Sequence, residues 1–504
     1  MKLKEKLFMG IDIGTSGVRA AVFDIEGKQL SLAYRESPML CHKTGMGELD
    51  PELVYRSFLD VIKECAQAPG VDSRNLAAAA LSTQLFSILA VDRKGVPITN
   101  ILTWADIRSL GHAELVKNNF DYRKIYDSTG CRGQHPMYPL SKILWIKETM
   151  PDIFKKAFKF VSVKEYILNR LFGKFVIDIT DASTTAMFNI HNFSWDEYVL
   201  EKVIGIDKSR LGQPVECNFI LQGMRKEYAA ETGLDPDLPF AVGSGDGMLA
   251  NVGCGVFDDT SMSCTIGTSG ALRTSVSTPL LDPQHRTWCY CFTKDTWVIG
   301  GAINNGGIVL KWLRDEFKDQ FEKDAGTAGL KNIYELFSQY AEEINPGSDG
   351  LVFLPFLTGE RSPGWNANAV GTIHGLRLMH GRKHIVRAAM EAVMFRMFSV
   401  FEILHELSGN TKRIIANGGY VKSKIWLKMQ ADIFGKEIAV AGASEAAVFG
   451  AAYLAMFAVG AIDSLTTPLL PMRTSEIIVP SQQNHLIYKE LYSNFKSLYG
   501  KLSQ

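Results

Sequence analysis

The chain has no paired-cysteine motif, no excess of either charge and no apolar run of membrane-spanning length. Its eight cysteines are scattered through 504 residues, and the tightest pair, Cys289 and Cys291, is spaced too closely for a zinc knuckle. Reduced structural thiols are expected, which suits the cytoplasm. The 54 Lys+Arg balance 54 Asp+Glu without a block of one sign. That leaves no electrostatic footprint for nucleic acid or an anionic membrane surface. The longest apolar run, residues 446–462, stops short of the ~20 residues a bilayer span needs. It is rich in alanine and glycine, which suits a helix packed closely on a sheet. Near the N-terminus, lysines precede an apolar run that soon meets Asp12, too short for a secretory signal. No GxxxxGK[ST] stretch occurs, so a P-loop is excluded.

What is present is a repeat. DIGTSG spans residues 12–17 and TIGTSG spans residues 265–270. The first copy sits between the strand-like runs LFMGIDI and VRAAVFDI, followed by QLSLAYRES, which reads as a three-stranded antiparallel meander. The second sits between TSMSCTI and ALRTSV, with TWCYCFT and TWVIGGAI further on. Helical patterns such as VYRSFLDVIKECAQA alternate with strands such as LAAAALS. The class is α/β with mixed sheets, and a repeat at half the chain length predicts two similar domains facing each other. We place the boundary near Ala250, dividing residues 1–250 from 251–504.

A Gly-Thr-Ser-Gly turn between strands exposes backbone N–H groups, and the hydroxyls of Thr15, Ser16, Thr268 and Ser269 add donors. Such concave donor clusters bind phosphate oxygens, although one copy alone would read as a hairpin turn. Asp12 can orient Mg2+ or its waters, whereas its counterpart Thr265 carries no charge. That asymmetry predicts one nucleotide between two half-sites, with the metal nearer the first. Asp246 lies between Gly245 and Gly247 and can either accept a hydroxyl proton in phosphoryl transfer or cap the helix that follows. Gly418 and Gly419 stand at a strand-to-helix turn where a flat adenine could lie against the backbone. Gly306 and Gly307 open another helix, whose N-terminus favours anions.

Two long stretches then carry a resemblance. MYPLSKILWIKE (residues 137–148) and GTIHGLRLMHGRKHIVRAAME (residues 371–391) are similar to the two signatures of the FGGY carbohydrate kinases, within the actin–hexokinase–heat-shock ATPase superfamily. The resemblance implies two actin-like (ribonuclease H-like) domains with a deep interdomain cleft, and ATP and Mg2+ as cofactors. It assigns Asp12, Gly14, Thr15, Ser16, Gly267, Thr268 and Ser269 to the phosphates, with Gly306 and Gly307 nearby, and Gly418 and Gly419 to the adenosine. Asp246 becomes the catalytic base, sharing the metal with Asp12.

Within the family, TWADIRS (103–109), HPMYPLSK (135–142), NNGGIVLKWLRDEF (304–317) and GERSPGWN (359–366) resemble the gluconate-phosphorylating members most. Xylulose-phosphorylating members are the nearest alternative. They typically carry Gly-Gln-Met-His-Gly where this chain has Thr83-Gln84-Leu85-Phe86-Ser87, and the imidazole, also common in the gluconate branch, is absent. The Arg-Glu pair typical of glycerol kinases is absent as well. A gluconate carboxylate calls for cations, and Arg108, Arg132, His135 and Lys142 are the candidates, with His135 and Arg108 expected nearest the sugar. Gln84, Trp104 and Asp106 complete the expected substrate set. The alternative of another class is an actin-like ATPase without a sugar substrate. Small-molecule partners are expected, with no nucleic acid and no membrane, and a homodimer stays open.

Overall fold

The computed structural model describes residues 5–443 and 445–502; Lys2 and Lys4, ahead of the first apolar run, lie outside the described residues. The apolar run forms β1 (Leu7–Ile13), buried along its whole length. It pairs antiparallel with β2 (Gly17–Asp24), which pairs antiparallel with β3 (Gln29–Glu36), giving the expected meander. Helix α1 (Pro51–Ala66) follows. The Asp50 side chain accepts from the N–H groups of Glu52 and Leu53, and Pro51 supplies a preset first helical φ. Val54, Phe58, Leu59 and Ile62 recur at helical spacing and are buried, and the helix packs against β2 and β3. β4 (Leu76–Thr83) then runs parallel beside β1. β5 (Ile220–Leu221) and β6 (Phe240–Gly245) complete a sheet in the order β5-β6-β4-β1-β2-β3. β6 bulges at Gly243, whose φ is +88° and whose Cβ would meet the Leu81 carbonyl oxygen at 1.7 Å. Only glycine fits there, and the bulge re-aims the residues that follow.

The second sheet repeats the plan. β7 (Ser261–Ile266), β8 (Gly270–Val276), β9 (Trp288–Thr293), β10 (Thr296–Ile303), β11 (Arg413–Asn417), β12 (Glu437–Val440) and β13 (Glu476–Ile478) lie in the order β9-β10-β8-β7-β11-β12-β13. β7–β8 and β8–β10 are antiparallel; β7–β11 and β11–β12 are parallel. Those are the senses of β1–β2, β2–β3, β1–β4 and β4–β6 in the first sheet. The counterpart of β3 is thus β10 rather than the earlier strand β9, which is an added edge. That edge is not bare: Cys289 N–H donates to the Gly130 carbonyl at 3.0 Å, and Cys291 N–H to Ser183 Oγ at 3.1 Å, both in the first half of the chain. All eight cysteines are unpaired.

Two helices cross between the sheets. α5 (Asp246–Gly253) follows β6 directly, and α9 (Ala446–Ala458) is the alanine-rich run noted in the sequence. α9 is apolar around its circumference because it is buried around its circumference. It packs against β1, β4 and α5, so a helix from the last seventy residues covers the first sheet. No helix among the described residues is long and apolar enough to cross a membrane. The crossing works by glycine. A Cβ at Gly450 would lie 2.0 Å from the Leu249 carbonyl oxygen, and one at Gly253 would lie 2.1 Å from that of Ala446. Backbone therefore touches backbone, and no side-chain rotation could relieve an added methyl. Gly450→Ala should destabilise the protein by about 1–3 kcal/mol through overpacking. Gly111→Ala, where a helical Cβ meets nothing within 4 Å, should be neutral or stabilising. Urea unfolding of both variants checks this; equal midpoints would remove the crossing from its structural role.

Candidate active site

The first turn is tied to residues far away in sequence. Gly14 N–H donates to the Gly17 carbonyl at 2.9 Å. Thr15 Oγ1 receives Trp104 Nε1–H at 3.0 Å and donates to Gln84 Oε1 at 3.0 Å, while Gln84 Nε2 donates to the Gly14 carbonyl at 3.3 Å. Trp104, Gln84 and the turn thus form one hydrogen-bonded unit. Asp12, near the end of β1, stands in register with Ser82 of β4, whose hydroxyl donates to it at 2.7 Å. Burial raises its pKa; the Ser82 bond and Arg19, 4.0 Å away, work against that rise.

Asp246 is the first residue of α5, placed there by the β6 bulge. Its carboxylate accepts the adjacent Gly247 N–H at 2.6 Å, and the helix has no side-chain cap bond from its N-cap residue, Gly245. Burial, then the nearby charge of Asp12, push its pKa up to about 6; Arg273, the Gly247 N–H and Lys164 act in the opposite direction. Two carboxylates, one near the end of β1 and one just past β6 with β4 between the two strands, therefore share one region. Among the described residues no group of three or more His, Cys, Asp or Glu could hold a metal ion. A pair of carboxylates nonetheless suits a hard divalent cation that completes its shell with phosphate oxygens and water.

The second turn borders a cavity of about 520 Å3 lined by Gly267, Thr268, Gly307, Gly419, Tyr420 and Trp426 among others. Gly418 sits at φ +101°, and a Cβ there would approach the Ile266 carbonyl oxygen to 2.6 Å, so this turn requires glycine. Gly306 and Gly307 act differently from the expectation. Their N–H groups donate to the carbonyls of Thr268 and Gly267 at 3.1 and 2.7 Å, and Ile308 N–H donates to Thr268 at 3.2 Å. The donors that open α6 (Ile308–Glu316) are consumed by the turn, so this helix start buttresses the turn instead of offering N–H groups to an anion.

On the sugar side each expected cation has partners inside the protein, and one of the four is neutral. Arg108 is ion-paired with Glu48 and Asp106 and lies 4.5 Å over the Trp145 ring, so two carboxylates already balance its charge. Asp106 is buried and accepts from Gly47 N–H and from Arg108, which leaves it in a structural network. His135 is no cation: burial, then Arg361, Lys142 and Arg132, depress its pKa to about 3. Its Nδ1 accepts Met137 N–H at 3.2 Å, so the neutral ring carries its proton on Nε2. Lys142 is buried and bonded to the carbonyls of Phe86 and Met137, and burial lowers its pKa to about 7. Arg132 donates to the His285 carbonyl at 3.1 Å and lies 5.3 Å over the Trp365 ring.

Groups not singled out from the sequence complete this side. Trp365 meets the His135 ring at 5.2 Å, and Arg361 lies 5.8 Å from the Trp104 ring. Arg273, on β8, reaches the backbone beside Asp246. The available signal was a lone arginine inside the apolar strand GALRTSV and a glycine directly after Asp246. A third missed group lies beneath. Lys164 of α3 (Val163–Phe172) is fully buried, 2.6 Å from Asp178 and 3.3 Å from Asp181. Asp178 caps α4 (Ile179–Ser183), and Thr180 of α4 receives the hydroxyl of Ser244, two residues before Asp246, at 2.8 Å.

Two copies of one sheet plan, each opened by a glycine–hydroxyl turn, place the protein among the enzymes built from paired actin-like domains. The chain belongs to the FGGY family of carbohydrate kinases: residues 7–253 match the family's N-terminal domain and residues 262–459 its C-terminal domain. It is 38% identical to the gluconokinase of Bacillus subtilis (strain 168) over 458 residues, covering 90% of this chain and 88% of that one. Identity to the gluconokinase of Bacillus licheniformis is 36% over 492 residues, covering 97% and 95%. Identity to the xylulose kinase of Bacillus subtilis (strain 168) is 27% over 496 residues, covering 98% and 97%. Among solved structures, the gluconate kinase from Lactobacillus acidophilus superposes with a TM-score of 0.91 at 30% identity, covering 99% of this chain and 98% of that one. The ligand-bound xylulose kinase from the same organism gives 0.92 at 30%, with the same coverage. Backbone shape alone therefore does not separate the two sugars.

The Lys164 cluster generates a test. Lys164→Met leaves Asp178 and Asp181 buried without their counter-ion and should destabilise the protein by about 3–5 kcal/mol. Adding Asp178→Asn should recover part of that loss. Denaturant unfolding measures both, and a single variant within 1 kcal/mol of wild type would show that the cluster is not an ion-paired support.

Proposed function

We propose that the protein transfers the γ-phosphoryl group of ATP to the primary hydroxyl of D-gluconate, giving 6-phosphogluconate. The observation that carries this reading is the step in identity, from 36–38% against two gluconokinases to 27% against a xylulose kinase, each over most of the chain. The charge of the site supports it. Arg132 and Arg361 act on His135, Arg273 acts on Arg361, and such a grouping of arginines suits an acidic substrate better than a neutral ketose.

In this reading the triphosphate lies between the turns of residues 14–17 and 267–270, with the adenosine in the cavity bordered by Gly419 and Tyr420. Asp12 and Asp246 would hold Mg2+, which would neutralise charge on the phosphates. Asp246 accepts the proton of the attacking hydroxyl. The reaction needs no covalent intermediate, because phosphoryl transfer depends mainly on positioning and electrostatic stabilisation. Trp104 links the sugar side to the phosphate side through Thr15, so substrate position and turn geometry are coupled.

Asp246→Asn keeps the shape of the side chain and removes the proton acceptor, so kcat should fall by ~10²–10⁴-fold with the fold kept. A base works deprotonated. With a pKa of about 6, kcat/KM of the wild type should be full at neutral pH and decline as pH falls through about 6. Activity of the variant within tenfold of wild type would remove Asp246 from this role. A coupled ADP-release assay settles the acceptor: D-gluconate should exceed D-xylulose in kcat/KM by at least ~10²-fold, because unpaired buried donors penalise the neutral sugar. Equal turnover of D-xylulose would favour a xylulose kinase. ATP hydrolysis that no sugar or sugar acid stimulates would favour an actin-like ATPase.

A further inference from the structure

The cations of the sugar side can each be followed to a partner, and one has none. Arg108 is paired with two carboxylates, Lys142 is bonded to two carbonyls and Arg132 to one. Arg361 donates Nη2–H to the Ile303 carbonyl at 3.2 Å, but its Nε is buried without an acceptor. The Arg273 side chain has neither a hydrogen bond nor an ion pair among the described residues. It projects from β8 in the second half of the chain, and only part of its surface is covered.

Its position is specific. A Cβ on Gly247 would lie 2.9 Å from Arg273 Nε, 3.1 Å from Cζ and 3.2 Å from Nη2. The guanidinium therefore packs flat against the backbone of the residue that follows Asp246, in space that only a glycine leaves open. Arg273 and Asp246 influence each other's charge without being paired. Arg273 also opposes the charge of Arg361, so the two guanidinium groups share one region. A guanidinium with unused donors is a planar, bidentate receptor for an oxyanion. Among the described residues no carboxylate is ion-paired with either guanidinium, Asp246 acting on Arg273 only from a distance.

We propose that Arg273, with Arg361 beside it, receives the carboxylate of the sugar-acid substrate, and that Gly247 exists to admit it. This rests on the reading that the acceptor is a sugar acid. It divides the substrate between the halves of the chain: Asp246 of the first faces the reacting hydroxyl, and Arg273 of the second holds the acidic end. The other oxyanion within reach is the transferred phosphoryl group, and the two roles differ in kinetics.

The test uses full-length Arg273→Met, with steady-state KM for D-gluconate and for ATP measured separately. A carboxylate role raises the gluconate KM by ~10²-fold or more, leaves the ATP KM unchanged and keeps kcat within about fivefold. Arg273→Lys, which keeps the charge but loses the fork, should recover part of the affinity. Gly247→Ala, which retains the arginine and displaces it, should raise the gluconate KM in the same direction, so the outcome does not depend on one variant folding. An unchanged gluconate KM overturns the inference. So does a fall in kcat with both KM values unchanged, which would assign Arg273 to the phosphoryl group. Failure of the wild type to use D-gluconate at all would instead overturn the proposed function, and the two failures are distinct.

Discussion

The crossing of α5 and α9 is the constraint on which the site depends. α5 begins with Asp246, and α9 lies on β1, which carries Asp12. The spacing of the two carboxylates, which stand at the ends of β1 and β6 with β4 between them, therefore depends on how closely the helices approach as well as on the sheet. Backbone contact at Gly253 and Gly450 fixes that approach near its minimum. A larger residue at either position would move Asp246 relative to Asp12 as well as loosen the core. Close packing of α9 also explains its composition: a helix buried on every side and pressed against carbonyl groups has room for alanine and glycine. Stability and chemistry here share one contact.

Around that crossing the charges are separated by purpose. Asp12 and Asp246 stand where phosphate and cation would meet, with Arg19 and Arg273 near them. On the sugar side Glu48 and Asp106 are taken up by Arg108 and leave the other arginines unbalanced. The separation is imperfect in solvation terms. Burial pushes the pKa values of Asp12 and Asp246 up and those of Arg273, Arg361 and Lys142 down, so each charged form is held at a solvation cost. Groups strained in this way gain most from a ligand of opposite charge, because that ligand replaces the water they have lost. The Lys164 cluster beneath has already found its balance inside the protein, which is why it reads as support and not as a site.

Much of the fold was legible because it depends on local pattern. The duplicated turn, the meander before it and the helix–strand alternation all follow from periodicity and glycine placement, and the two sheets repeat one order of strands and one set of senses. The counterpart of β3 was not legible: β9 and β10 both read as apolar strands, and only pairing distinguishes the inner strand from the edge. Side-chain partners were still less legible. Arg108 looked like a ligand for an acidic substrate because its type and neighbourhood fitted. Glu48, sixty residues earlier, had already engaged it. His135 looked cationic until its burial, and then the cations facing it, were known. A residue's type is local information, whereas its charge and availability are set by groups that arrive from elsewhere in the chain.

Arg273 shows the same rule from the other side. In sequence it is a lone charge in an apolar strand twenty-seven positions beyond Asp246, with nothing to connect the two. In space the connection is a missing side chain at Gly247. In the proposed reading the repeated parts of the two halves, turn and sheet, would meet the phosphate chain, where both halves would face the same chemistry. The parts that differ, Trp104 and His135 in the first half and Arg273, Arg361 and Trp365 in the second, meet on the sugar side. Duplication provides a pair of similar turns, but a sugar has unlike ends, so each half must supply a different group. The acceptor's identity therefore lies in the residues that break the repeat, and neither half alone holds enough of them to define it.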